Sequence, residues 1–229
     1  MVFPWGAVIN ALVILAGASV GVFIGGRLPQ RLQVLIFQLF GLCLLAIGLK
    51  MALGAQNILL VILSLVLGAG AGEILKLSQR LDALAAHLKK MVNSSNPLFA
   101  EGLVNGSVMV CAGAMAIVGS FEEGLGLGRT TVYAKTLIDF FACLILAART
   151  GAGVLFIPVT VLVYQGSLIV LAAFLAPFFS PAMENCLQSV GGLMVMGIGL
   201  NMLGLKPGVD ISNSLPALLF AALLPAIWG

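Results

Sequence analysis

Lys135 and Asp139 stand four residues apart in the stretch AKTLIDFF, so on a helix they share one face. The surroundings are apolar, and an ionised side chain at membrane depth costs roughly 2.5–3.5 kcal/mol on insertion scales. Such groups are candidates for function. A switchable pair would let Asp139 take a proton or cation when Lys135 is drawn elsewhere, or let Lys135 meet an anionic solute. The structural alternative is a permanent bridge that makes insertion tolerable. Counted from residue 130, Asp139 lies roughly 13 Å into its helix at 1.5 Å per residue.

Other polar groups could line the same path. Glu73 closes the glycine-rich GAGAGE, near Lys76, where a solvated carboxylate is the plainer reading. Asn105, Ser107 and Ser120 belong to a small-residue stretch that includes CAGAMAIVGS. That density of small residues allows either close helix packing or a broken helix offering backbone dipoles to a solute. Gly113 and Gly119 here, and Gly166, Gly191 and Gly192 further on, are the candidates for close approach or a break. Tyr164 and Gln165 fall near the middle of another apolar stretch, while Gln38 and Gln188 enter two further stretches at similar depths. Each could equally be a hydrogen bond between helices, typically worth less than ~1 kcal/mol.

Several chemistries have no sequence support. HExxH, a phosphate-binding loop and Cys/His clusters do not occur. Met109, Cys111 and Met115 lack a histidine or second cysteine to complete a soft-metal site, and His87, the one histidine, lies in a polar segment. The expectation is no enzyme, no metal and no cofactor. Cys43, Cys111, Cys143 and Cys186 read as small buried hydrophobes.

The elements that position these groups follow from composition. Of 229 residues, 61% are hydrophobic and 8% charged, against roughly 25% charged in soluble domains. The expected fold is an all-α polytopic membrane protein. Spans are predicted near 6–26, 32–53, 57–76, 98–120, 130–149, 152–178, 183–205 and 213–228, most of them near the ~20 residues a crossing needs, the sixth being long. Pro158 is expected to bend the sixth. Residues 78–97 read as an amphipathic interfacial helix. The net charge of +3 is modest, and the basic residues sit largely in short loops, a topology signal that gives no reason to expect nucleic acid as a partner. With the N-terminus outside, inner loops hold eight Lys and Arg and the outer side three, so both termini are expected outside.

GLCLLAIGLKM (Gly41 to Met51) and GLMVMGIGLNM (Gly192 to Met202) agree at six of eleven positions. The match predicts an inverted repeat, spans 1–3 against 6–8, about two central spans. The single membrane domain (1–229) then divides into repeat A (5–77), the interfacial helix (78–97), central spans (98–150) and repeat B (151–229).

The motifs GAVINALVILAGASVG, GAGAGE, CAGAMAIVGS, AKTLIDFF, VYQG, SVGGLMVMGIGLNMLG and NSLPAL, spread over nearly the whole chain, resemble the bacterial membrane family named "domain of unknown function 554". The resemblance implies a multispanning protein of the bacterial cytoplasmic membrane, loosely regarded as a transporter, with no catalytic residues to carry over. The family commonly has Asp-Gly after the Gly-Ser of the fourth span, where this chain has Glu122, Glu123 and Gly124.

The functional expectation is a secondary transporter or permease for a small polar or ionic solute, with proton or sodium coupling. The alternatives are a passive channel, which needs a continuous polar path, and a non-transporting scaffold or partner subunit. Expected partners are membrane lipid, the solute or ion, and a second copy of the chain in a homodimer.

Overall fold

The structure is a computed structural model that describes residues 3–25, 29–81, 83, 97–111, 114–206 and 208–228. Most of the expected interfacial helix at 78–97 lies outside the described residues. The described chain is helical, with no strand. Its helices are α1 (Trp5–Ile24), α2 (Gln30–Ala52), α3 (Ile58–Ile74), α4 (Pro97–Cys111), α5 (Ala114–Gly124), α6 (Thr130–Thr150), α7 (Ile157–Leu175), α8 (Pro181–Met202), the single turn α9 (Ile211–Ser214) and α10 (Ala217–Trp228).

Among the described residues, four helical stretches are long and apolar enough to cross a bilayer: Trp5–Ile24, Gln30–Ala52, Thr130–Phe178 and Ile211–Trp228. A fifth is the pair Gly102–Cys111 and Met115–Gly124, bent by 56°. Ile58–Ile74 is apolar but only 17 residues long. Thr130–Phe178 spans 49 residues, far more than one bilayer core of ~30 Å can hold. It folds back on itself. Gly102 lies against Thr150 and Gly106 against Leu146, so α4 opposes α6. Gly106 also meets Ile157 and Gly124 meets Ala172, so α4 and α5 run along α7. A 3-10 segment, Gly151–Phe156, makes the reversal between α6 and α7. Gly151 opens it at φ 79°, a left-handed conformation that side chains other than glycine rarely adopt.

Pro158 corrects one expectation. It occupies the first turn of α7 instead of bending its interior, a position where the missing N–H costs nothing. The expected span at 152–178 is therefore a 3-10 entry followed by a helix from Ile157. The expected fourth span is likewise two helices.

α8 buries one long face inside the bundle. Its buried face includes Cys186, Val190, Gly192, Met194, Val195 and Gly199. It packs antiparallel on α2, glycine against glycine: a Cβ at Gly41 would stand 2.8 Å from the Gly199 carbonyl oxygen, and one at Gly199 2.7 Å from that of Gly41. Gly48 and Gly192 meet in the same reciprocal way. One core forms around Leu44, Val61, Val190, Met194 and Ala217. The other, around Ile14, Val110, Cys143, Val154 and Ile157, joins α1, α4, α6 and α7. Large apolar side chains such as Phe23, Leu59, Val66, Phe174 and Leu219 remain exposed around the bundle, as a lipid-facing surface requires.

Candidate functional site

The second core encloses the ionisable pair. α1 lies so close to α6 that a methyl group at Gly17 or Gly21 would strike the carbonyl oxygens of Phe140 and Leu144. That approach brings Asn10 of α1 to Asp139. Asn10 Nδ2 donates to Asp139 Oδ2 at 2.9 Å and to Gln165 Oε1 of α7 at 2.9 Å. Lys135 Nζ donates to the same Asp139 Oδ2, forming the i,i+4 ion pair. All four residues are buried: Asn10 0%, Gln165 1%, Lys135 4% and Asp139 6% exposed. Cys111 at the end of α4, and Cys143 one turn beyond Asp139, lie within electrostatic reach of both charges.

Hydrogen bonding in this cluster is incomplete. Asn10 Oδ1 and Gln165 Nε2 have no partner among the described residues. A buried polar group left unpaired costs ~1–3 kcal/mol. The cluster thus presents a free acceptor and a free donor beside a balanced ion pair, which is the equipment for holding a small polar or charged guest.

The remaining candidate residues are dispersed. Ser107 bonds Thr160 across α4 and α7 at 3.1 Å. Ser120 donates to the Ala116 carbonyl of its own helix. Tyr164 is half-buried, and Gln38 is exposed on α2, away from the cluster. Gln188 and Gly191 line a small void beside Glu122. Glu73 is exposed, and its Oε2 accepts from Asn213 Nδ2 at 2.7 Å, tying α3 to α9. Gly119 packs on Val132, Gly192 on α2, and a Cβ added at Gly166 would stand 3.9 Å from Ala7 Cβ beside the cluster. Gly113 and the side chain of Asn105 lie outside the described residues. Of the ten polar candidates, the cluster unites Lys135, Asp139 and Gln165.

Two groups gain importance from the structure. Asn10 is one; the sequence offers it only as a neutral polar residue in an apolar helix. The acidic pair is the other. Glu122 Oε1 and Oε2 accept from Thr130 N at 3.1 Å and Thr131 N at 3.0 Å, at the start of α6. Glu123 accepts from Gly6 N, at the start of α1, at 2.9 and 3.1 Å, and from Arg129 Nε at 3.0 Å. Both are buried, at 5% and 3% exposed. Each carboxylate meets a helix N-terminus, where unpaired amides and the helix dipole favour negative charge. The available signal was the absence of a capping side chain at Pro4 and Arg129.

Two cavities flank the bundle core. One, of about 420 Å³, is lined by Met115, Asn201, Asp210 and Ser212 among others, at the C-terminal end of α8. The other, of about 130 Å³, lies at the opposite end between the α2–α3 turn, Asn185 and Trp228.

Apolar helices with a buried, hydrogen-bonded ion pair define a helical integral membrane protein with a polar centre. The family model for "Protein of unknown function (DUF554)" matches residues 5–226, and the chain belongs to that family. It is 32% identical over 228 residues to "Uncharacterized protein YqgA" of Escherichia coli (strain K12), covering 97% of each chain. It is 26% identical over 219 residues to "Uncharacterized membrane protein YdfK" of Bacillus subtilis (strain 168), covering 94% of this chain and 93% of that one. No solved structure matches the chain.

Proposed function

We propose that this protein is a secondary transporter for a small polar or ionic solute, operating around Asn10, Lys135, Asp139 and Gln165. The observation that carries the reading is the buried ion pair beside an unpartnered amide oxygen and an unpartnered amide nitrogen. A structural bridge alone gives no reason for those two atoms to stay unsatisfied.

The architecture supports it. Eight crossings result if α3 and α8 each cross, α4 with α5 counts as one, α6 and α7 as two, and α9 with α10 as one. Repeat A, spans 1–3, then faces repeat B, spans 6–8. Each helix of one repeat touches its counterpart in the other: α1 meets α7, α2 meets α8 and α3 meets α10. The reciprocal glycine contacts of α2 and α8 are what a two-fold axis in the membrane plane generates, since the same patch serves on both sides. Asn10 and Gln165, 155 residues apart, join α1 to α7, the first helices of the two repeats. The larger cavity opens at one end of the bundle, while the carboxylate caps of Glu122 and Glu123 close the other end around α1, α5 and α6. By the Lys and Arg count, the capped end with both chain termini faces outward in the cytoplasmic membrane, and the exposed apolar faces leave room for a homodimer.

Reconstituted liposomes test the proposal. Purified protein is expected to move a solute down an imposed proton or sodium gradient, and Asp139→Asn to abolish the coupling. Coupled flux that survives Asp139→Asn removes Asp139 from the mechanism; unitary currents in planar bilayers replace the carrier with a channel.

A further inference from the structure

We infer that two copies of this chain pair through the lipid-facing side of α2, with the two Gln38 amides hydrogen-bonded to each other. The inference stands whether or not the protein transports, and it gives the homodimer a definite interface.

α2 is the most open of the long apolar stretches. Only 17% of its most apolar 18 residues are buried, against 33% to 39% in the other three. It leans on α8 and touches α6 where Phe40 meets Phe141. Gly41, Leu44, Gly48 and Met51 form the face it buries. On another side, Leu35, Gln38, Leu42, Leu45 and Leu49 follow one another at alternating steps of three and four, the spacing of a helix-pairing seam. The leucines at 35, 42 and 49 are 49%, 54% and 47% exposed. Gln38 is exposed too, and it has no hydrogen bond among the described residues.

An apolar face by itself requires nothing but lipid. Gln38 changes that. Its amide brings two N–H donors and a carbonyl acceptor, and hydrocarbon offers a partner to none of them. It stands seven residues past Arg31, about 10 Å along the helix at 1.5 Å per residue. A glutamine side chain is too short to return from there to the polar end of α2 at Gln30 and Arg31. Other polar groups on the outer surface find partners within their own helices: Ser19 donates to the Leu15 carbonyl and Ser167 to that of Tyr164. The open side of α3, with Leu59, Ile62 and Val66, is apolar and suits lipid.

A second copy supplies what Gln38 lacks. By the Lys and Arg count every copy takes one orientation in the membrane, so two α2 helices lying side by side run parallel. In a parallel pair with this spacing, like positions face each other. Gln38 then meets Gln38, and each amide donates to the carbonyl of the other, as polar side chains do between helices in bilayers. The face is complementary to itself, which is the condition for a two-fold interface.

The test uses the full chain, labelled at its C-terminus with donor or acceptor fluorophores and reconstituted at falling protein-to-lipid ratios. Energy transfer between copies reads the dimer. Wild type is expected to dimerise, Gln38→Leu to dissociate at about tenfold higher density, the loss of two interhelical hydrogen bonds, and Gln38→Asn, which keeps an amide, to stay closer to wild type. Cross-linking then locates the interface. Cys43→Ala removes the exposed cysteine of α2; in that chain Leu42→Cys and Leu49→Cys are expected to give disulfide-linked dimers under mild oxidation, and Ile62→Cys on α3 none. A chain that stays monomeric at every ratio, a Gln38→Leu dimer as tight as wild type, or cross-links from Ile62→Cys without any from Leu42→Cys each overturns the inference. If Gln38→Leu fails to fold, the cross-linking positions decide alone.

Discussion

Gly192→Ala should loosen the bundle measurably, whereas Gly70→Ala should not. At Gly192 an added Cβ stands 2.6 Å from Met51 Cβ, 2.8 Å from the Gly48 carbonyl oxygen and 2.9 Å from Ala52 N. Ordinary contacts between carbon atoms lie at about 3.5–4.0 Å, so α2 and α8 must part by about 1 Å. A gap of that size forfeits roughly a quarter to a half of each dispersion contact, and overpacking of this kind costs about 1–3 kcal/mol. At Gly70 the added Cβ meets nothing within 4 Å, and alanine is the better helix former by ~1 kcal/mol. The two variants should therefore move in opposite directions. Reversible unfolding in mixed micelles, followed by far-ultraviolet circular dichroism, measures both. Equal shifts, or a Gly192→Ala change below about 0.5 kcal/mol, would refute the glycine-on-glycine reading of this interface.

Three further outcomes follow from contacts already described. Glu122→Gln keeps the shape of the carboxylate at the start of α6 but removes its charge, and should cost about 0.5–2 kcal/mol in the same unfolding assay. Asn57 accepts from Leu59 N and Leu60 N as the N-cap of α3, so Asn57→Ala should cost about 1 kcal/mol, read as a lower unfolding midpoint. Lys135→Met alone strands the buried Asp139 charge and should destabilise by about 3–5 kcal/mol, whereas Lys135→Met with Asp139→Leu should recover most of that loss. A double variant no more stable than the single one would refute the stranded-charge account of the loss.

Periodicity and charge made the helices and the shared face of Lys135 and Asp139 legible, because both are local properties of a 3.6-residue turn. The resemblance between Gly41–Met51 and Gly192–Met202 pointed to two segments that do pack on each other, glycine to glycine. What local pattern could not give was the company each polar group keeps. Asn10 looks like any amide in an apolar helix until α6 and α7 supply Asp139 and Gln165. Glu122 and Glu123 look like an outer loop charge until they are seen on the amides of Thr130, Thr131 and Gly6. Gln38 has the right depth but the wrong face, since one helical step of about 100° separates the interior from lipid. Pro158 carries two opposite meanings, a bend within a helix or the start of one, and the turn at Gly151 selected the second.

The reach of the Asn10 and Gly6 contacts along the chain also bears on how the protein is made. Gly6 meets Glu123, 117 residues later; Asn10 meets Asp139 after 129 residues and Gln165 after 155. At about 5–20 residues per second of synthesis, the first helix enters the bilayer roughly 8–30 s before the last of these partners exists. During that interval a bare amide side chain and an uncapped N-terminus sit in or beside lipid. Biogenesis therefore exposes on the newborn first helix the same polar surface that the finished bundle hides, and a holding factor or an early neighbour at the insertion site has a defined feature to recognise there.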